Sequence, residues 1–386
     1  MAVNFPEATL AALALLSLAL ALWQWLAAIR FPLHRRVTDF SFAPAITLLK
    51  PLKGGDATTV ESLQSWFNQH YTGQIQILFG VADASDPACK IVRELIEKNP
   101  GLDAQLVVCA ESPGANGKVS TLIQLERLVK HPLILVSDAD VRVPPDFLVN
   151  LAAPLRDPKN GLVNCFYRLA NPVTTAMRCE AIAINADFWS QVLQSTNLKP
   201  LDFALGAAIL TRRELLEEIG GFAALVNCLA DDYQLGHRIA QRGHRIVLCP
   251  VVVECWDAPT NWRDVWKHQL RWGRTIRVCQ PVPYFFSILS NATLWPLLWL
   301  IVSLVWSKTF CFPLIALACL LIRIGLAKNL QRRFTPGDNT LVPPWLVPVK
   351  DLLQAAVWLG AFIGNTVEWR GQRMKLRRDG TLVEEK

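Results

Sequence analysis

Leu133-Ile134-Leu135-Val136-Ser137-Asp138-Ala139-Asp140 is the stretch on which the fold turns. Four branched apolar residues in a row have the length and type of a strand buried on both faces, and two aspartates one residue apart follow at its exit. Upstream, residues 46–49, 75–81 and 106–109 are short runs of the same kind, rich in Val, Ile and Leu. Helix-like segments at 58–69, 87–99, 119–130 and 145–155 follow them in turn. Apolar runs that alternate with helical patterns predict an α/β domain with a Rossmann-like, mostly parallel sheet. Ligands of such sheets sit beyond the carboxyl ends of the strands, so the polar residues at those ends carry the functional reading.

Asp138 and Asp140, at the exit of one buried strand, have the spacing to share one divalent cation. Hard carboxylate oxygens suit Mg²⁺ or Mn²⁺, with substrate phosphates completing the shell. The competing reading is a solvated turn. The run 75–81 ends at Ala82-Asp83-Ala84-Ser85-Asp86. Here Ser85 or Asp86 is expected to cap the next helix, leaving Asp83 to accept a hydrogen bond from the N–H of a uracil ring. A third acidic group, Asp231-Asp232-Tyr233, opens an amphipathic helix that runs through Ile239 and ends at Gly243. Asp231 suits the helix cap. Asp232 suits a general base, because adjacent acids disfavour each other's charge and raise a pKa. His268-Gln269-Leu270-Arg271-Trp272 lies among Trp262, Trp266, Arg274 and Arg277, in a segment that reads as an interfacial amphipathic helix. Within it, Arg271 is a candidate diphosphate clamp and Trp272 a platform for an acceptor.

The composition is 52% hydrophobic with a mean hydropathy of +0.27, too apolar for an ordinary soluble protein. Residues 8–29 carry no charge and have the length of a membrane span. Arg30, Arg35 and Arg36 follow, which places the next domain on the cytosolic face, with a bacterial inner membrane favoured. Residues 285–306 and 309–327 read as a hairpin of two further spans through Ser307-Lys308. Trp295, Trp299 and Trp306 would serve as interfacial anchors, and Arg323 would snorkel from the span end. Residues 352–367 read either as a last span or as a re-entrant or interfacial segment. The expected domains are an anchor at 1–30, a cytosolic domain at 31–260, an interfacial segment at 261–284, a membrane region at 285–370 and a basic tail at 371–386. The net charge of +7 flanks the apolar runs and suits lipid headgroups, with no nucleic-acid motif. Ten scattered cysteines, without a CxxC pair, read as buried hydrophobes and not as zinc ligands.

Taken together, Pro51-Leu52-Lys53-Gly54, Asp83, Asn116-Gly117-Lys118, Asp138, Asp231-Asp232-Tyr233, Arg271-Trp272 and the stretch from Trp369-Arg370 to Gly380-Thr381 carry a resemblance. The chain resembles the ceramide glucosyltransferase family, glycosyltransferase family 21 of the inverting GT-A superfamily, nearly end to end. The resemblance implies a GT-A domain in which Asp83 contacts uridine and Asp138, with Asp140, holds the metal and diphosphate. It further implies that Lys118 lies near the nucleotide-sugar, Asp232 is the catalytic base, and Arg271 and Trp272 complete the site. Two positions depart from the pattern. His268 stands where the family usually has Gln or Arg, and Asp140 is an acid that animal members lack. Both look like a bacterial branch that includes enzymes transferring N-acetylglucosamine to hopanoid alcohols. The implied activity is transfer of a hexose from a UDP-sugar, UDP-glucose favoured, to the primary hydroxyl of a membrane lipid such as ceramide, giving a β-glycolipid. UDP-N-acetylglucosamine with a hopanoid polyol is the alternative. A processive polysaccharide synthase would usually carry more spans and Gln in place of His268. A polyprenyl-phosphate sugar transferase would usually lack the Arg-Trp pair, and a nucleotide-binding scaffold would release no sugar. A transporter is disfavoured, because no charged or broken helix pair is apparent at mid-membrane.

Overall fold

Each of the four apolar runs becomes a strand: β1 (Ile46–Leu52), β2 (Ile75–Val81), β3 (Asp103–Val108) and β4 (Leu133–Ser137). The computed structural model describes residues 5–56, 58–306, 311–337, 343–369 and 372–384. Successive side chains of a strand point to opposite faces, and these strands feed two cores accordingly. Ile77, Phe79 and Val81 join one cluster with Leu133 and Leu135, whereas Leu78 joins another with Ile134 and Val136. Burial on both faces is why the runs are continuous and not alternating. The helix Ala88–Lys98 covers the first face through Val92 and Leu95, and Gly117–Glu126 covers the second through Val119, Leu122 and Leu125. Gly80 lets that second helix approach closely, since a Cβ there would meet Thr121 Cγ2 at 2.4 Å.

Four more strands complete an eight-stranded mixed sheet: β5 (Val141–Arg142), β6 (Asn160–Leu169), β7 (Ala208–Arg212) and β8 (Arg245–Cys255). The order is β3-β2-β1-β4-β7-β6-β8-β5. β3, β2, β1 and β4 are parallel, β6 and β8 are parallel, and β7 runs antiparallel to both β4 and β6. After β1 the chain builds outward through β2 and β3, then returns to the other side of β1 for β4. Strand order therefore reverses between β1 and β4, which is where open α/β sheets bind ligands.

The chain divides into two compact units, and they do not follow the expected boundaries. One holds Pro32–Asn171, Lys199–Ala258 and Met374–Lys386; the other holds Met1–Phe31, Pro172–Leu198 and Pro259–Arg373. Residues 172–198, expected within a continuous 31–260 domain, are helical and pack in the second unit. The end of the expected basic tail is not free. Gln372–Leu376 pairs antiparallel with Leu382–Glu384, and residues 374–384 belong to the sheet unit.

In the helical unit, Phe5–Arg30 and Cys311–Phe334 are long and apolar enough to cross a membrane. The first presents Ala14, Ser17, Ala21, Gln24 and Ala28 to its neighbours, a small-residue stripe that admits close helix packing, while Leu15, Leu16 and Leu22 face outward. The run 285–306 is not one straight span. It bends by 41° between Pro281–Ser290 and Leu294–Trp306, and Asn291 Oδ1 accepts the Leu294 N–H at 2.9 Å across the break. Trp299 is not an interfacial anchor: it is packed among Ala14, Ala316 and Phe312. Leu346–Ala361 has 16 residues, or about 24 Å at helical rise, short of a hydrocarbon core of about 30 Å. It also carries buried Lys350 and Asp351. Arg323 does not snorkel. It is 5% exposed and its guanidinium binds Asp351 and Asp187. The expected turn Ser307-Lys308 and Arg370 fall outside the described residues.

Candidate active site

The carboxyl edge beside the β1–β4 reversal collects charge from four parts of the sheet unit. Asp138 leaves β4 with its N–H on Ala207 O at 3.2 Å. Its Oδ1 lies 2.7 Å from Lys118 Nζ, and the same ammonium lies 3.2 Å from Asp231 Oδ2. Lys118 sits in the first turn of Gly117–Glu126, whose N-terminus Asn116 caps by accepting the Val119 N–H. Asn116 also donates to Cys228 O at 2.8 Å and to Asp231 Oδ1 at 3.4 Å, so one buried amide ties the helix to the acidic motif. The folded tail supports the same loop, with Leu382 N–H on Asn227 O and Leu229 N–H on Gly380 O.

Asp231 is thus an ion-pair partner and not a cap: Ala230 holds the cap position of Asp231–Gln241. Asp232, the next residue, accepts the Tyr233 N–H through Oδ1 at 2.7 Å. Gly206 borders a gap between Asp232 and Asp138. A Cβ at Gly206 would stand 2.8 Å from Asp232 Oδ2 and 3.6 Å from Asp138 Oδ2, so a side chain there would fill the space both carboxylates face. Burial, then the neighbouring Asp231 carboxylate, raises the Asp232 pKa to about 6. Lys118 is held protonated because Asp138 and Asp231 together outweigh the cost of burying it.

Lys50 belongs to this site although sequence reasoning passed over it. It is fully buried in β1, donates to Asp138 O at 2.5 Å and lies 4.9 Å from the centroid of the Trp66 ring. Burial lowers its pKa to about 7 against the opposing pull of Asp140 and Asp138, and burial with the Asp138 charge raises that of Asp140 to about 7. The available signal was a lysine inside the otherwise apolar run Ile46–Leu52.

Asp83 lies at the exit of β2 on the same edge, where Ser85 N–H and Oγ–H bind its Oδ1 at 2.8 and 2.9 Å. These bonds lower its pKa. Pro87 holds the cap position of Ala88–Lys98, and Asp86 before it accepts the Ala88 N–H at 2.8 Å. Among the described residues no hydrogen bond or ion pair joins Asp83 to the Asp138 group. Arg271 and Trp272 lie on Trp262–Cys279 in the helical unit. There Trp272 packs on Phe188 at 5.7 Å and on His268 at 4.9 Å. His268 and Gln269 both bind Glu180, at 2.7 and 2.8 Å, a partner that sequence reasoning did not supply.

Among the described residues, no group of three or more His, Cys, Asp or Glu side chains is placed to hold a metal ion. The donor chemistry nevertheless fits a partial site for a hard cation. Four carboxylates (Asp138, Asp140, Asp231 and Asp232) face two amines (Lys50 and Lys118), and Asp138 Oδ2 opens onto the gap at Gly206. Mg²⁺ characteristically takes one or two carboxylates and completes its shell with phosphate oxygens.

Comparison with known proteins agrees with this architecture. Residues 9–382 match the family described as Glycosyl transferase family 21. Ceramide glucosyltransferase 3 of Caenorhabditis elegans is 25% identical over 224 residues, 56% of this chain and 47% of that protein. The probable glycosyltransferase YdaM of Bacillus subtilis is 26% identical over 237 residues, 60% of this chain and 55% of that one. The matches span about half the length of these relatives. Among solved structures, the mannosyltransferase PcManGT from Pyrobaculum calidifontis, in complex with GDP-Man and Mn²⁺, superposes with a TM-score of 0.57. It is 20% identical, over 92% of this chain and 97% of that one, which establishes a shared fold.

Proposed function

The chain belongs to glycosyl transferase family 21, and from that membership we propose that it transfers a hexose from a UDP-sugar, UDP-glucose favoured, to a hydroxyl of a membrane lipid such as ceramide. The observation that carries the reading is the meeting of Asp138, Asp231, Asp232 and Lys118 at the β1–β4 reversal, with the Asp232 pKa raised to about 6. A carboxylate tuned toward neutrality is suited to take a proton from an alcohol.

In this mechanism Asp83 accepts the uracil N–H, and Lys118 holds Asp138 and Asp231 in place near the nucleotide-sugar. Asp232 takes the proton of the lipid hydroxyl as its oxygen attacks the anomeric carbon. The bond to the UDP oxygen breaks on the opposite face and the electron pair leaves with UDP, so an α-linked donor yields a β-glycoside. Arg271 neutralises charge that builds on the leaving diphosphate, and Trp272 forms a platform for the acceptor. Mg²⁺ or Mn²⁺, held by Asp138 and Asp140, would supply further electrostatic stabilisation of the diphosphate. Arg30, Arg35 and Arg36 after the first span-length helix favour a cytosolic site in an integral membrane protein.

The test is incubation of the purified chain with a panel of UDP-sugars and lipid alcohols, with products identified by mass spectrometry and anomeric NMR. A β-hexosyl lipid is expected. Absence of sugar transfer to every lipid, or an α-linked product, would refute the reading.

A further inference from the structure

The segment Asn227-Cys228-Leu229, which leads into Asp231 and Asp232, is bonded along both of its edges within the sheet unit. On one edge Asn227 O accepts the Leu382 N–H at 2.7 Å and the Leu229 N–H donates to Gly380 O at 3.2 Å, with Cys228 opposite Thr381 in an antiparallel bridge. On the other edge Val226 O accepts the Asn116 N–H at 2.9 Å and Cys228 O accepts from the Asn116 amide at 2.8 Å. Backbone groups of an extended segment alternate sides, so 227 and 229 face the tail while 226 and 228 face the turn at 116. The tail is built to present its half of these bonds. Met374, Leu376 and Leu382 are buried, and Asp379 Oδ1 accepts both the Thr381 N–H at 3.0 Å and its hydroxyl at 2.7 Å. Gly380 takes a left-handed backbone, φ +84°, in the turn whose carbonyl meets Leu229. Downstream, Ala230 holds the cap position of Asp231–Gln241 without a side-chain oxygen to pin it. The helix entry is therefore set by the segment before it and by the pairing of Asp231 with Lys118 and Asn116.

We propose that Gly380 and Leu382 are positioning residues for the transfer step: the tail turn sets the 227–229 segment, and through it the helix entry, so that Asp232 faces the gap beside Gly206. The inference rests on Asp232 being the base. Each of the two residues acts through a backbone hydrogen bond to the segment and not through its own side-chain chemistry. Asp83 and Asp138 leave β2 and β4 directly, so the groups assigned to the nucleotide do not depend on the tail. A tail that only held the fold together would weaken donor binding and turnover alike. One that aims Asp232 lowers turnover selectively, because a small misplacement of a reacting group costs rate before it costs affinity.

The test uses the full chain in lipid nanodiscs with UDP-glucose and ceramide. Gly380→Val puts a β-branched residue where φ is +84°, although a Cβ there would meet Gln234 no closer than 3.9 Å, so the strain lies in the backbone and not in space. It should lower kcat by about tenfold or more while leaving UDP affinity and donor KM within about threefold. Amide hydrogen exchange in peptides covering 227–235 should quicken by about tenfold. Gly380→Asn, which accepts a left-handed backbone, should recover kcat to within about threefold of the unaltered chain. Asp379→Ala frees Thr381 on an exposed turn and should lower kcat by about threefold, so the comparison stands even if Gly380→Val does not fold. Unaltered kcat in folded Gly380→Val, or in Asp379→Ala where that variant alone folds, overturns the inference. So does unchanged exchange at 227–235, UDP affinity falling in step with kcat, or equal loss of kcat in Gly380→Asn and Gly380→Val. Exchange and UDP binding need no turnover, so the two readings fail separately. Transfer that survives Gly380→Val refutes the role of the tail and spares the activity. No transfer by the unaltered chain, with exchange at 227–235 still governed by Gly380, refutes the activity and spares the hold of the tail on the loop.

Discussion

In the sheet unit, Asp138, Asp140, Asp231 and Asp232 gather around two amines, Lys50 and Lys118; in the helical unit, Asp187 and Asp351 face Arg323 and Lys350. The first group carries an excess of negative charge and opens onto a gap beside Gly206. Burial, then neighbouring carboxylates, raises two of its acids, Asp232 to about 6 and Asp140 to about 7. The second group is closed and balanced, each cation touching both carboxylates. An unbalanced buried cluster stores a demand for a cation or a proton, which is what a transfer site needs. A balanced one holds helices in register and has no charge left to exchange.

The sharpest way to break this comparison is to remove the proposed base. Asp232→Asn should lower kcat by about 10²–10⁴-fold while leaving UDP affinity within about twofold, measured by turnover and calorimetry. Near-wild-type turnover would assign the base elsewhere. Arg323→Met leaves two buried carboxylates sharing one lysine, and should destabilise the protein by about 3–5 kcal/mol in detergent unfolding. A change below about 1 kcal/mol would show that the ionic group is not closed to water.

Lys118→Met should cost less stability, about 2 kcal/mol, because Asp138 is partly exposed to solvent. It should weaken UDP-sugar binding more than it lowers Tm. If Tm alone falls, Lys118 is only a strut. The smallest effect is in pH. Asp232 is protonated below its raised pKa and then accepts no proton, so kcat/KM should fall about tenfold per unit below pH of about 6 and level off above it. Added Mg²⁺ or Mn²⁺ should move that limb to lower pH, since a cation favours the carboxylate form. A limb that is indifferent to the metal would separate the cation site from Asp232.

Much of the sheet site was legible because its signals are local. Asp138 and Asp83 follow apolar strands, and Asp232 opens an amphipathic helix. Lys50 was overlooked because its chemistry depends on β4, far along the chain, placing Asp138 O against its ammonium. β5 to β8 were not read either, since β6 and β8 exceed the short-run pattern and include polar positions such as Asn164 and Arg168. Arg323 invited a snorkelling reading because its apolar neighbours are visible in sequence and its partners, at 187 and 351, are not.

By itself the sequence determined the parallel β1–β4 core, the acidic residues at its edge and the two span-length helices. Those features follow from periodicity and length within a few consecutive residues. The tertiary structure alone decided which charges meet. It gave Asp231 to Lys118, Glu180 to His268, and Asp187 and Asp351 to Arg323. Coulomb energy depends on distance in space, and burial depends on what packs around a group, so neither is written in spacing along the chain.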